Sequence, residues 1–254
     1  MITLSEGITS REKLILAGLF LSKYDSVGLK KLGFRSFKEA YNVLAYAMGA
    51  QPASIKNYRD EFDPLFPNRR KGWHKRKTRE YCLKVFERYK CLDLETFAGL
   101  VRSFAGFDEN AWSEIRNEDG QKDSESFFAK RLITGLAAER YFVSVSSGLP
   151  EFQAYTVEDT TNFGCGYDFR LRIGSREDFL AVEVKGLRER VGSLSLTPKE
   201  YAVATALKDR FFLFVVKNFR DSPFHEIYRN PLSSRLQFRK SERVTVHVSW
   251  LTTI

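Results

Sequence analysis

The chain of 254 residues is 43% hydrophobic and 29% charged, with 22 Phe and 11 Tyr, an ordinary globular composition with ample material for a packed core. No apolar run reaches the length of about 18 residues that a membrane span needs. Residues 1–7 lack the basic start and apolar run of a secretory signal, and Cys82, Cys91 and Cys165 form no disulfide framework or metal-ligand spacing, so a soluble cytoplasmic protein with reduced, packing cysteines is expected.

The net charge of +9 is unevenly placed: residues 1–90 carry 19 Lys and Arg against 9 Asp and Glu, whereas the rest of the chain carries 22 against 23. A basic surplus confined to one region suits attraction to a phosphate backbone, or else a solvated face.

The first apolar run, residues 14–21, is hydrophobic nearly all round, and Thr9 with Glu12 forms a capping box ahead of it, which predicts a buried helix. A second helix follows Ser36, with Ala40, Val43, Leu44 and Ala47 on one face and Gly49 closing it. Pro52 opens a third, polar and basic, carrying Lys56, Asn57 and Arg59. Two helices joined by a short turn fit either a helix-turn-helix reader of DNA or plain bundle packing.

Between Arg69 and Arg79 seven of eleven residues are cationic, and that density is expected to stay in solvent as an arm on a nucleic-acid backbone. Its contacts would come from Arg69, Arg70, Lys71, Trp73, Lys75, Arg76 and Lys77, with His74 a further polar contact rather than a ligand. Helices through Tyr81, Val85 and Tyr89 and over residues 94–104 follow, and the polar stretch 107–123 marks the boundary between a helical DNA-binding domain, residues 1–120, and a second domain, residues 121–254.

The second domain opens with a long helix from Ser124 or Ser126 through Tyr141, then turns to short apolar runs at 182–184, 211–216 and 244–248. Thr197 with Glu200 caps a further helix between two of them. The order predicts an α/β domain around a mixed sheet, after an all-α basic domain.

Its sharpest feature is Gly166-Tyr167-Asp168 followed by Val182-Glu183-Val184-Lys185-Gly186. On an extended strand Glu183 and Lys185 share one face while Val182 and Val184 point to the core. A hairpin turning at residues 174–178 would bring Asp168 beside Glu183, where the two acids could share one hard cation.

These residues resemble the motif of the PD-(D/E)xK nuclease superfamily, with Asp168, Glu183 and Lys185 in the motif positions and Tyr167 where the motif has Pro. A longer likeness, from residues 134–139 through 166–168, 183–186, 196–200 and 211–216, is similar to the NO VEIN-like and Mrr-like branches. The resemblance implies a restriction-endonuclease-like sheet flanked by helices. It also implies a Mg²⁺ ion (Mn²⁺ substituting) on Asp168, Glu183 and the Val184 carbonyl, Lys185 at the attacking water, and Glu139 as an auxiliary acid.

For Glu139 a salt bridge to Arg140 or Arg188 is the alternative; Glu200 reads most simply as a cap, and Arg170, Arg172 and Lys199 are candidates to line the substrate groove. The stretch 53–63, with the basic residues after it, also resembles a module fused to prokaryotic nucleases. The expectation is a restriction-type endonuclease of double-stranded DNA, a homodimer because one such centre cuts one strand, with a cognate methyltransferase as a possible partner. Modified DNA, RNA or branched DNA as substrate remains open, as does a non-catalytic DNA-binding protein with a degenerate nuclease fold.

Overall fold

The computed structural model describes residues 7–68, 70, 72–73, 75–106, 122–174, 177–242 and 252, with residues 122–130 described as helical backbone only. Arg69, Lys71, His74, the stretch 107–121 and the expected strand at 244–248 lie outside the described residues.

The capping box of Thr9 and Glu12 starts α1 (Ser10–Lys31), in which every residue from Ile15 to Ser22 is buried. A helix apolar all round has to be enclosed on all sides, and α2 (Phe37–Ala47), α3 (Pro52–Phe62), α4 (Glu80–Tyr89) and α5 (Leu94–Phe104) pack around it. Gly18 lets α3 come this close: a Cβ there would lie 2.5 Å from Tyr58 Cβ and 2.8 Å from the Arg59 nitrogen.

That close packing corrects two expectations. Arg59, expected to face DNA, is turned inward, with its guanidinium bonded to the Tyr41 hydroxyl and 4.1 Å above the Phe37 ring. Arg70, expected in the exposed arm, is largely buried and pairs with Asp63 at 2.6 Å and Asp25 at 2.6 Å. Asp63 is sealed from solvent, and Ser22 Oγ also donates to it at 2.7 Å. Breaking such a pair from one side costs about 3–5 kcal/mol, because the remaining charge stays buried. Arg79 is held in the same way by buried Glu61. Two of the seven cations of the run, Arg70 and Arg79, are therefore structural, since acids from the neighbouring helical segments reach them. Lys75, Arg76 and Lys77 stay exposed, with Arg76 stacked 4.4 Å above the Trp73 ring, and on α3 Lys56 and Asn57 face solvent.

After α6 (Lys122–Ser146) the described residues build a five-stranded sheet in sequential order: β1 (Thr156–Asp159), β2 (Phe169–Arg172), β3 (Phe179–Gly186), β4 (Phe211–Lys217) and β5 (Phe224–Arg229). All pairings are antiparallel except β3 with β4, which are parallel and joined through α7 (Pro198–Leu207). The sheet is mixed, as expected. β1 and β5, which lie at the ends of the sheet among the described residues, escaped the sequence reading because their polar residues (Thr156, Glu158, His225, Glu226) obscure an apolar alternation.

Phe142 of α6 packs on Phe169 at 4.9 Å, Phe214 at 5.0 Å and Phe152 at 5.6 Å between ring centres. On the opposite face Tyr167, Ala181 and Phe211 meet Ala204 of α7. The large core is continuous from the N-terminal helices into the sheet. At that seam Tyr46 packs on Tyr141, and Asn42 Nδ2 donates to the Phe219 and Asp221 carbonyls at 2.9 Å each. The three cysteines are free thiols, but Cys91 is exposed rather than packed. Among the described residues no helix is long and apolar enough to cross a membrane.

Two helical glycines separate close approach from helix propensity. Gly18→Ala is expected to destabilise the protein by about 1–3 kcal/mol, through forced displacement of α3. Gly99→Ala, in α5 with nothing within 4 Å of its Cβ, is expected to be neutral or stabilising by up to about 1 kcal/mol. Urea unfolding of both variants checks the pair, and equal effects would contradict the tight α1–α3 crossing.

Candidate active site

Glu183 and Lys185 are polar because of where β3 runs. Val182 and Val184 enter the core beneath α6, so the alternate positions face the α7 side. β2 delivers the third group: Asp168 N donates to the Val182 carbonyl at 3.0 Å, and Val184 N donates to Asp168 Oδ2 at 2.8 Å. The expected hairpin therefore forms and places Asp168 beside Glu183. In a strand the N–H and C=O of one residue point the same way, so the Val184 carbonyl faces the Asp168 side as well.

Glu139 reaches the same place from α6 because helix and strand meet closely at Gly186, where a Cβ would lie 2.9 Å from the Thr134 carbonyl oxygen. Arg188 is taken by Glu39 and Glu189, so the alternative pairing of Glu139 with that residue does not form.

Together these residues line an open cleft of about 700 Å³, whose walls also include Arg131, Arg188, Ser193, Ser195 and Glu200. Arg170, Arg172 and Lys199 are not among them. Arg170 is instead bonded to the Tyr167 hydroxyl at 2.9 Å and lies over the Phe179 ring. Glu200 has a role beyond its cap: the Oε2 atom that accepts from Thr197 N at 2.8 Å also accepts from Lys185 Nζ at 3.0 Å, while Lys185 bonds Glu183 as well. The capping box was readable in the sequence, but the second bond depends on the crossover bringing α7 over β3.

The cleft is short of positive charge. Glu139, Asp168, Glu183 and Glu200 face it against Arg131, Lys185 and Arg188; Lys185 bonds Glu183 and Glu200, whereas Arg188 is paired with Glu39 and Glu189. Burial, then repulsion by Asp168, raises the Glu183 carboxyl well above its ordinary value. Asp168 is raised by burial against the opposing pull of the Val184 N–H. Glu139 is pushed up to about 7, by burial first and Asp168 second. Lys185 is held protonated, since Glu183 and Glu200 outweigh its desolvation.

Among the described residues no three His, Cys, Asp or Glu side chains are gathered into a ready metal cage. Val184 N–H donates to Asp168 and the Lys185 ammonium to Glu183. Two adjacent carboxylates, a strand carbonyl and open space for water nevertheless fit a small hard cation, which keeps much of its water shell. The unrelieved charge on the carboxylates is what such a cation would relieve.

A raised carboxyl titrates with a definite sign. Below the ordinary carboxyl range Glu139 is protonated in both folded and unfolded chains. As pH rises towards 7 the unfolded chain releases a proton that the folded one keeps, so this group lowers stability progressively until its folded value is passed. The melting temperature of Glu139→Gln should therefore rise relative to the parent between pH 4.5 and 8, and added Mg²⁺ should narrow the gap at pH 8 by stabilising the parent. A difference that does not vary with pH would contradict the buried, proton-holding carboxyl.

Residues 138–229 match the family model described as Protein NO VEIN, C-terminal. The match begins one residue before Glu139 and ends with the last residue of β5, so it contains Asp168, Glu183, Lys185, Arg188 and Glu200 and leaves out α1 to α5. No curated protein and no solved structure matches the chain. The NO VEIN-like character expected from the motif residues is thus supported over this stretch.

Proposed function

We propose that the chain is a divalent-cation-dependent nuclease of double-stranded DNA, of the PD-(D/E)xK kind and restriction type. The observation that carries the proposal is the convergence of Asp168 and Glu183, from adjacent antiparallel strands, with the Lys185 ammonium in an open, acid-rich cleft.

Asp168, Glu183 and the Val184 carbonyl would hold Mg²⁺, or Mn²⁺ in its place. When bound, the cation would polarise the scissile phosphate and lower the pKa of a water. Lys185, whose ammonium bonds Glu183 and Glu200, would donate to the attacking oxygen or to the charge growing on the phosphate. Glu139, its pKa raised to about 7 by burial, can hold or give up a proton at its carboxyl within the same cleft. A homodimer would supply the second cut of a duplex, and a cognate methyltransferase would protect the host's own sites.

The exposed Lys75, Arg76 and Lys77, with Trp73, and Lys56 and Asn57 on α3 form the proposed docking surface. Arg69 and Lys71 belong to the same run of sequence.

The ion pairs of Lys185 with both Glu183 and Glu200 favour a second reading, in which the site is a relic that only braces the sheet and the protein binds DNA without cutting it. Incubation with unmodified and methylated plasmid, RNA and branched DNA, with and without Mg²⁺, separates the two. The first reading expects metal-dependent cutting, reduced about 10²-fold or more in Lys185→Ala. Retardation of DNA without cutting of any substrate supports the second.

Replacing Lys75, Arg76 and Lys77 together with Ala should weaken DNA binding across sequences. If all three touch phosphates, the log–log salt dependence should flatten by about 0.9 for each lost contact. An unchanged slope would remove the arm from the interface.

A further inference from the structure

Arg188 stands where the helical region and the cleft meet. It lines the cleft, yet its side chain is held from outside: Nε donates to Glu39 Oε1 at 2.6 Å and Nη2 to Glu39 Oε2 at 3.4 Å. Glu39 lies on α2, 149 positions away in sequence, and is completely buried. A buried carboxylate is costly unless it is paired and hydrogen-bonded. Here the Arg35 N–H at 3.0 Å supplies a second donor.

The backbone of Arg188 is fixed as well, since its carbonyl accepts from Arg220 N at 3.0 Å. The outer edge of the guanidinium is different. Its Nη1 meets Glu189 at 3.0 Å, and Glu189 is 43% exposed.

A guanidinium clamped on one edge by a buried acid, and covered on the other by a displaceable surface carboxylate, is prepared for a second planar anion. We propose that Arg188 binds a phosphate of the nucleic-acid strand lying in the cleft, that Glu189 holds that position until the phosphate displaces it, and that Glu39 is the positioning residue. The inference rests on the nucleic-acid reading of the cleft and adds to it a phosphate contact and a physical tie to α2. Neither was visible in the sequence, where Arg188 was only a possible partner of Glu139. Arg is suited to this task because its fork keeps its geometry when one edge is occupied, whereas a Lys ammonium offers a single point of charge.

Fluorescence anisotropy of a short labelled DNA duplex, with Ca²⁺ in place of Mg²⁺, tests binding apart from cleavage. Arg188→Gln is expected to raise Kd about tenfold and to flatten the log–log salt dependence by about 0.9, the value of one phosphate contact. Arg188→Lys should fall between that variant and the parent, and Glu189→Gln should bind more tightly than the parent.

Glu39→Gln should weaken binding in the parent background and have no further effect in Arg188→Gln, a coupling that a purely structural Glu39 would not produce. Melting temperatures recorded alongside identify any variant that fails to fold, and the surface change Glu189→Gln still tests the idea in that event. Parent-like affinity and salt slope in folded Arg188→Gln, equal weakening by Glu39→Gln in both backgrounds, or no binding of duplex by the parent would each overturn the proposal. A parent that binds the duplex with these dependences but cuts no nucleic acid in Mg²⁺ or Mn²⁺ would defeat the nuclease reading and leave the Arg188 contact standing.

Discussion

A core strand that carries two opposite charges on one face governs this molecule. β3 buries Val182 and Val184 beneath α6 and must present Glu183 and Lys185 on its other side. An isolated charge there would be prohibitively unfavourable. The surroundings answer it with an acid from the antiparallel neighbour, an acid from the crossover helix and a cleft open to water. The compensation is incomplete, because Lys185 bonds only Glu183 and Glu200 while Arg188 is turned to Glu39 and Glu189, and the protons of Glu139, Asp168 and Glu183 are held more tightly than usual. Residual electrostatic tension of this kind is a common mark of sites prepared for an incoming charge.

The same logic, with fuller compensation, organises the N-terminal helices. Glu61, Asp63 and Glu39 are all nearly or wholly buried, and Arg79, Arg70 and Arg188 respectively pair with them. In each case the arginine comes from a segment outside the helix that carries the acid. These ion pairs fix where loops and strands lie against the bundle, a role that buried pairs fill better than they fill one of net stabilisation.

Features set by local rules were legible in the sequence. The capping boxes of α1 and α7 rest on residues three apart, and the sharing of one face by Glu183 and Lys185 follows from strand alternation alone. The hairpin joining Asp168 to Glu183 was also readable, because a short turn leaves little freedom of register. What escaped was non-local or lay at the ends of the described sheet. Nothing in the cationic run announces that Asp63 and Glu61 claim Arg70 and Arg79, so it looked wholly solvent-exposed when two of its arginines are partly buried in ion pairs. The second bond of Glu200 and the Glu39–Arg188 pair arise only after distant segments are packed. β1 and β5 were hidden because their polar residues conceal a strand's rhythm.

The seam between α2 and the sheet bears on how such a protein can diversify. Tyr46 rests on Tyr141 and Phe219, Asn42 holds the turn after β4, and one hydrophobic core runs through both regions. A helical segment exchanged by recombination would have to bring along the aromatic and amide groups that complete the sheet's exterior, or leave them bare. New surface properties are therefore easier to reach by gradual change on the outward faces of these helices than by shuffling the helical part as an interchangeable cassette.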